Sequence, residues 1–289
     1  MPEAVPTVPR LFLGERLKQL RAESGQTIDE LATALNKDRG RLGRVFDGKG
    51  TLSVEELGEL LDLLGASAQQ RRDLLALGVE ARKRPSRRPY TDLLPRGSER
   101  LPDLEAMATQ IWWYEPGIIP GLLQVPEYIE GLMTDGDGIW WESSWEERRN
   151  RINFRLERQK LTMTAQPSKS LHFIITDTAL WTEVGGPDTM HRQMEHLLHV
   201  IDQRPNITIQ VLSATAKHNP TPASGLILLH LATALRPVGF QPVGYGPGTY
   251  FDEPIDTARL ARAFGRLVAL AMSVDESRKV IADLMARSQ

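Results

Sequence analysis

The chain has no cysteine among its 289 residues. That excludes disulfides, thiol nucleophiles and cysteine-held metals, and it fits a reducing cytoplasm. No stretch reaches the run of about 18 apolar residues that a membrane helix needs, so no membrane partner is expected. The opening MPEAVPTVPR lacks the basic-then-apolar pattern of a secretory signal. Catalytic signatures are also missing. There is no G-x-S-x-G elbow, and the glycines of VGYGPG at 243–248 do not form a G-x-G-x-x-G at a strand-to-helix junction. DGDG at 135–138 lacks the remaining ligands of a calcium loop. No cofactor, no metal and no enzymatic activity are therefore expected.

Excess charge of one sign is lacking as well, since the net charge is −2. The balance hides a split. Residues 1–100 hold 18 basic and 15 acidic side chains, and the rest hold 17 and 22, so a head of +3 precedes a body of −5. The densest basic stretch runs from Lys37 to Lys49, with five basic residues against two acidic ones. A local basic stripe of this kind is a footprint for a polyanion.

That stripe sits in a run of short helices. Residues 10–23 place Leu13, Leu17 and Leu20 on one face, and Gly25 ends the helix. Thr27 opens TIDELATAL with Glu30 three residues on, a capping box, and Ile28, Leu31, Ala32 and Leu35 face inward. Asn36 suits a left-handed turn residue. Asp38 caps the next helix, whose inner positions are Leu42 and Val45. Ser53 with Glu56 caps a fourth, and residues 68–82 form a fifth. The layout from Gly25 to Lys49 is two helices joined by a tight turn, a helix-turn-helix.

If Leu42 and Val45 face inward, Arg39 and Arg44 face outward, with Gly40 and Gly43 between them. A helix in the major groove reads base edges with three or four such side chains, and arginine pairs with guanine bidentately. Small residues there let the backbone approach the bases. The candidate DNA-binding set is Thr27, Lys37, Asp38, Arg39, Gly40, Arg41, Arg44 and Lys49. Arg39 and Arg44 are assigned to bases; Lys37, Arg41 and Lys49 are assigned to phosphates.

The chain is thus expected to be multidomain. An all-α helix-turn-helix domain covers 1–82, a basic linker with three prolines covers 83–100, and an α+β or α/β domain around a small sheet covers 101–289. In the body, LPDLEAMATQIWWYEP reads as a helix ending before Pro116, followed by a PGLLQ turn and a short helix. SSWEERRNRINFRLERQKLTM reads as a long charged helix. SLHFIITDTALW, NITIQVLSA, GLILLHL and the PVGFQPVGYG segment read as strands. DTMHRQMEHLLHVIDQ is a helix, and the stretch from Ile255 is mostly helical with a break at Ser273.

Trp112, Trp113 and Tyr114 precede the PGLLQ turn. They either line an apolar effector pocket with Arg155 or Arg158 supplying charge, or join the core. Trp140 and Trp141, beside the DGDG loop, are candidates for a protein-docking patch.

The stretch LKQLRAESGQTIDELATALNKDRGRLGRVFDGKGTLSVEELGELLDLLG resembles the Xre/Cro-repressor type of helix-turn-helix over about residues 10–66. It departs from that family at two positions. Ile28 stands where a phosphate-contacting glutamine is usual, and Phe46 stands where a glutamate usually pairs with the arginine at Arg21. LEAMATQIWWYEPGIIPGLLQVPEYIEGLM, RRNRINFRLERQ and RPNITIQVL are similar to the C-terminal domain of actinobacterial WhiJ-like regulators, with PGLLQ at 120–124 and Tyr128 the most specific piece.

The resemblance implies a transcription regulator, often paired with a small partner protein encoded nearby. The expected function is a cytoplasmic, sequence-specific regulator bound to double-stranded operator DNA as a homodimer. The body would serve dimerisation, a small-molecule effector or the partner protein. Two alternatives stand beside it: an interaction module of a toxin–antitoxin-like pair with autoregulatory DNA binding, and a small-molecule enzyme with a DNA-binding head.

Overall fold

In this computed structural model the described residues are 6–83, 90–91, 100–139, 144–232, 235–243 and 248–287. The first five helices begin and end where local chemistry dictates. Helix α1 (Val8–Ser24) carries a proline in its first turn and closes on Gly25 at φ 70°. Helix α2 (Ile28–Ala34) starts in a complete Thr27–Glu30 capping box. Asn36 at φ 49° turns the chain. Asp38 then caps α3 (Arg39–Phe46) by accepting from Arg41 N at 2.8 Å. Ser53–Glu56 and Ser67–Gln70 boxes open α4 (Val54–Leu63) and α5 (Ala68–Arg82). The inward leucines meet in one core, with Leu17, Leu31, Leu42 and Leu60 fully buried.

The chain divides into two compact units, and their composition does not follow chain order. One holds 1–107 with 231–238 and 247–253; the other holds 108–230, 239–246 and 254–289. In the first unit, β1 (Tyr90–Thr91) pairs antiparallel with β7 (Thr249–Phe251), placing Tyr90 opposite Tyr250. The Phe12 ring meets Tyr250 edge-on at 5.3 Å, and Val8 N donates to Asp252 Oδ2 at 2.9 Å. Arg16 pairs at 3.0 Å with the buried Asp103 of α6 (Leu101–Met107). Burial pushes the Asp103 carboxyl up to about 6, against the pull of Arg16. Apart from Lys83, β1 and Arg100, the basic linker expected at 83–100 lies outside the described residues.

The second unit is built on β2 (Ala108–Glu115), β3 (Ser170–Thr176), β4 (Ile207–Leu212), β5 (Leu226–Leu231) and β6 (Val238–Gln241), hydrogen-bonded in the order β6-β5-β2-β3-β4. Strands β2, β3 and β4 are parallel, with Trp113 opposite Phe173 and Phe173 opposite Ile209. A 3₁₀ turn (Gly121–Leu123) and α7 (Pro126–Asp135) follow β2; α8 (Trp145–Met163), α9 (Asp177–Trp181), α10 (Pro187–Gln203), α11 (Pro254–Leu270) and α12 (Val274–Arg287) complete the unit. Helix α12 covers the outer edge of β4: Ser277 Oγ accepts from Val211 N at 2.8 Å, and Met272 N donates to Val211 O at 2.9 Å. The edge is thereby closed to pairing with another chain. The break expected at Ser273 is a capping box with Glu276.

Two expectations from sequence are corrected. The single helix expected over LPDLEAMATQIWWYEP is α6 followed directly by β2. Both faces of β2 are covered, so its buried residues do not alternate, and a continuous apolar run fits either a helix or a parallel strand. The strand expected over SLHFIITDTALW ends at Thr176, and DTALW forms α9.

Candidate DNA-reading surface

Helix α3 divides into two faces. Leu42, Val45 and Phe46 are buried at 2% exposure or less. Arg39, Gly40, Arg41 and Arg44 are exposed on the opposite face, with Gly43 half-exposed among them. On a helical projection Gly40 and Gly43 form the middle of that face, with Arg39 on one side and Arg44 on the other. A Cβ on Gly43 would meet nothing within 4 Å. The protein core therefore gives no reason for glycine there, although glycine weakens a helix by about 1 kcal/mol relative to alanine.

The spacing of α3 from the rest of the unit is set by α1. A Cβ on Gly14 would stand 2.5 Å from Phe46 O and 3.0 Å from Gly48 N. Gly48, at φ 69°, completes the close approach, since its own Cβ position lies 3.1 Å from Arg10 O. The two helices pack backbone to backbone, which fixes how far α3 projects.

The basic side chains are not equivalent. Arg39 pairs with Asp29 of α2 at 2.9 Å, with both groups well exposed. Lys37 and Arg41 converge on one acid, Glu56 of α4, at 2.6 Å and 3.4 Å. The Lys37 hydrogen bond, joined by one from the Ser53 backbone, holds the Glu56 carboxyl below the usual carboxylate range. Among the described residues Arg44 makes no side-chain hydrogen bond or ion pair. Thr27 and Asp38 act as helix caps, accepting from Glu30 N and Arg41 N. Lys49 N donates to Arg44 O at 2.7 Å, ending the helix beside Arg44.

The Phe46 departure has a specific consequence. The Arg21 guanidinium lies over the Phe46 ring, 5.6 Å from its centroid. The apolar contact expected of Phe46 is thus a cation–π contact with Arg21. Among the described residues, Arg21 Nε is buried and has no hydrogen-bond partner.

The aromatic candidates of the body separate. Successive strand side chains point to opposite faces, so Trp112 and Tyr114 lie on one side of the sheet and Trp113 on the other. Trp112 stacks on Phe264 of α11 at 5.1 Å, and Tyr114 joins the same cluster with Ile174, Leu226 and Leu267. Trp113 packs near Phe173, and the Arg158 guanidinium lies 5.5 Å from its ring. One pocket holding Trp112, Trp113, Tyr114 and the arginines is therefore not formed. Trp140 and Trp141 lie outside the described residues. The PGLLQ turn is a packed structural element. Gln159 Nε2 donates to Gly121 O and Gln124 O, and Gln193 binds Leu123 O and Val125 N.

Sequence reading did not find the roles of Glu56 and Asp29 as counter-charges. Glu56 was legible only as a capping residue, because its approach to Lys37 depends on how α4 packs.

Comparison with known families agrees with this architecture. A helix-turn-helix domain model matches residues 13–74, which places the head in the class of DNA-binding regulator domains. A family described as a domain of unknown function (DUF5753) matches residues 98–283, more than half the chain, and the chain belongs to that family. No curated protein and no solved structure matches it. Among the described residues no helix is long and apolar enough to cross a membrane, and no group of three or more metal-ligating side chains occurs.

Proposed function

We propose that the protein is a sequence-specific, DNA-binding transcription regulator of the Xre type, with a WhiJ-like C-terminal body. The observation that carries this reading is the outer face of α3: a glycine-floored surface flanked by Arg39 and Arg44, with Arg44 uncommitted. Arg39 and Arg44 read base edges, and Lys37, Arg41 and Lys49 hold phosphates. One α3 makes few base contacts, so the protein acts as a homodimer on two half-sites. The body supplies the dimer surface and answers to an effector or a small partner protein.

The test is fluorescence anisotropy of the full chain against duplexes selected from a random pool, with scrambled duplexes as controls, across a salt series. Selective binding is expected, with log K falling by about 0.9 per neutralised phosphate for each unit of log salt. Equal affinity for selected and scrambled duplexes would overturn the reading.

Glu56 sets the strength of that binding. Its carboxylate competes with DNA phosphate for Lys37 and Arg41. Glutamine serves equally in a capping box, so Glu56→Gln keeps α4 capped while releasing two cations. Affinity is expected to rise roughly 2- to 10-fold at low salt, with a steeper salt slope. Unchanged affinity in the same anisotropy series would show that Lys37 and Arg41 do not face phosphate.

A further inference from the structure

Within the first unit a cavity of about 140 Å³ opens between α1 and α5. Each helix turns one face to it, with lining positions at i, i+3, i+4 and i+7 counted from Arg16 in α1 and from Gln70 in α5. The two helices run antiparallel. Arg10 Nε donates to Ala81 O at 2.9 Å near one end, and Gln26 Nε2 donates to Leu63 O at 2.8 Å near the other.

Antiparallel packing sorts the lining by charge. Glu23, late in α1, falls at the same end as Asp73, early in α5. Among the described residues neither carboxylate makes an ion pair; Asp73 accepts one hydrogen bond, from Gln69 Nε2 at 2.9 Å. Arg16 stands at the opposite end. Asp103 holds its Nε at 3.0 Å, and its Nη1 donates to Gln19 Oε1 at 3.2 Å. Arg100 joins it there, buried, its carbonyl accepting from Asp103 N at 3.1 Å. Both arginines keep partners inside the protein. A guanidinium carries five N–H donors, so it can serve an inner carboxylate and an outer one together. Between the two ends the floor is apolar, made of the buried Leu20, Leu74 and Leu77.

We propose that this cavity binds a small end-to-end zwitterion, with its ammonium at Glu23 and Asp73, its carboxylate at Arg16 and Arg100, and its apolar middle on the leucine floor. The volume suits a molecule of roughly six to ten heavy atoms. Arg16 and Glu23 lie about 10 Å apart along the helix axis, so charges at the two ends of a chain match the cavity better than two charges on one carbon. The site stands whether or not the DNA reading holds, because its test needs no DNA.

The experiment is calorimetric titration of the full chain with 6-aminohexanoate, with hexanoate and hexylamine as single-ended probes at matched ionic strength, together with thermal unfolding. 6-Aminohexanoate is expected to bind saturably and to raise Tm, and each single-ended probe to bind more weakly by roughly 10-fold or more. Glu23→Gln and Asp73→Asn are each expected to keep the wild-type Tm without ligand, to weaken 6-aminohexanoate by roughly 5- to 10-fold, and to leave hexanoate unchanged. Absence of saturable binding would overturn the site. Hexylamine or hexanoate binding as tightly as 6-aminohexanoate would overturn the zwitterion assignment. Full 6-aminohexanoate affinity in both variants would place the binding elsewhere and overturn the site as well. Should one variant fail to fold, the other decides alone.

Discussion

Arg44→Ala is expected to weaken binding to the selected duplex by about 1–3 kcal/mol, roughly 5- to 150-fold, while leaving scrambled DNA nearly unaffected. The asymmetry follows from geometry. Arg44 is exposed at the edge of the glycine floor of α3 and makes no partner contact among the described residues, so no intramolecular bond is broken when it engages a base. Arg39 must first give up Asp29, so its truncation is expected to cost less. The substitution should leave Tm within a degree or two, because an exposed, unpaired arginine contributes little to the core. Anisotropy on both duplexes checks the result. Equal losses on both would assign Arg44 to phosphate alone.

Gly14→Val is expected to cost about 3 kcal/mol of stability and to lower Tm accordingly, measured by calorimetry. Valine gains only a few tenths of a kcal/mol over glycine in helix propensity. Against that, its Cβ would enter at 2.5 Å from Phe46 O, and backbone cannot rotate aside as a flexible side chain can. Helix α3 must move outward or α1 must tilt. DNA affinity should fall even where the protein remains folded, because the projection of α3 changes while no DNA-facing residue is altered. A Gly14→Val protein of unchanged Tm would show that the α1–α3 contact is looser than the backbone positions require.

Local chemistry decided much of the head in advance. The Thr27–Glu30 and Ser53–Glu56 boxes, the left-handed Gly25 and Asn36, and the Leu42/Val45 inner pair all depend on residues within a few positions of one another, so their spacing is readable directly. The outward placement of Arg39 and Arg44 followed from that inner pair. The Ser273–Glu276 cap was readable as a break for the same reason.

Tertiary structure decided the rest. IWWY is a short apolar and aromatic run ending at Glu115, and pairing within the sheet made it a strand and sent Trp112 and Trp113 to opposite faces. Glu56 became the counter-charge of Lys37 and Arg41 because α4 packs beside the turn, a proximity that no spacing encodes. Tyr250 and Asp252 contribute to the first unit from more than 150 residues away, through β1, Phe12 and Val8. Caps and turns act over one helical turn and are written in sequence; charge pairing, strand registry and the membership of a compact unit act through space between distant segments, and only the folded chain fixes them.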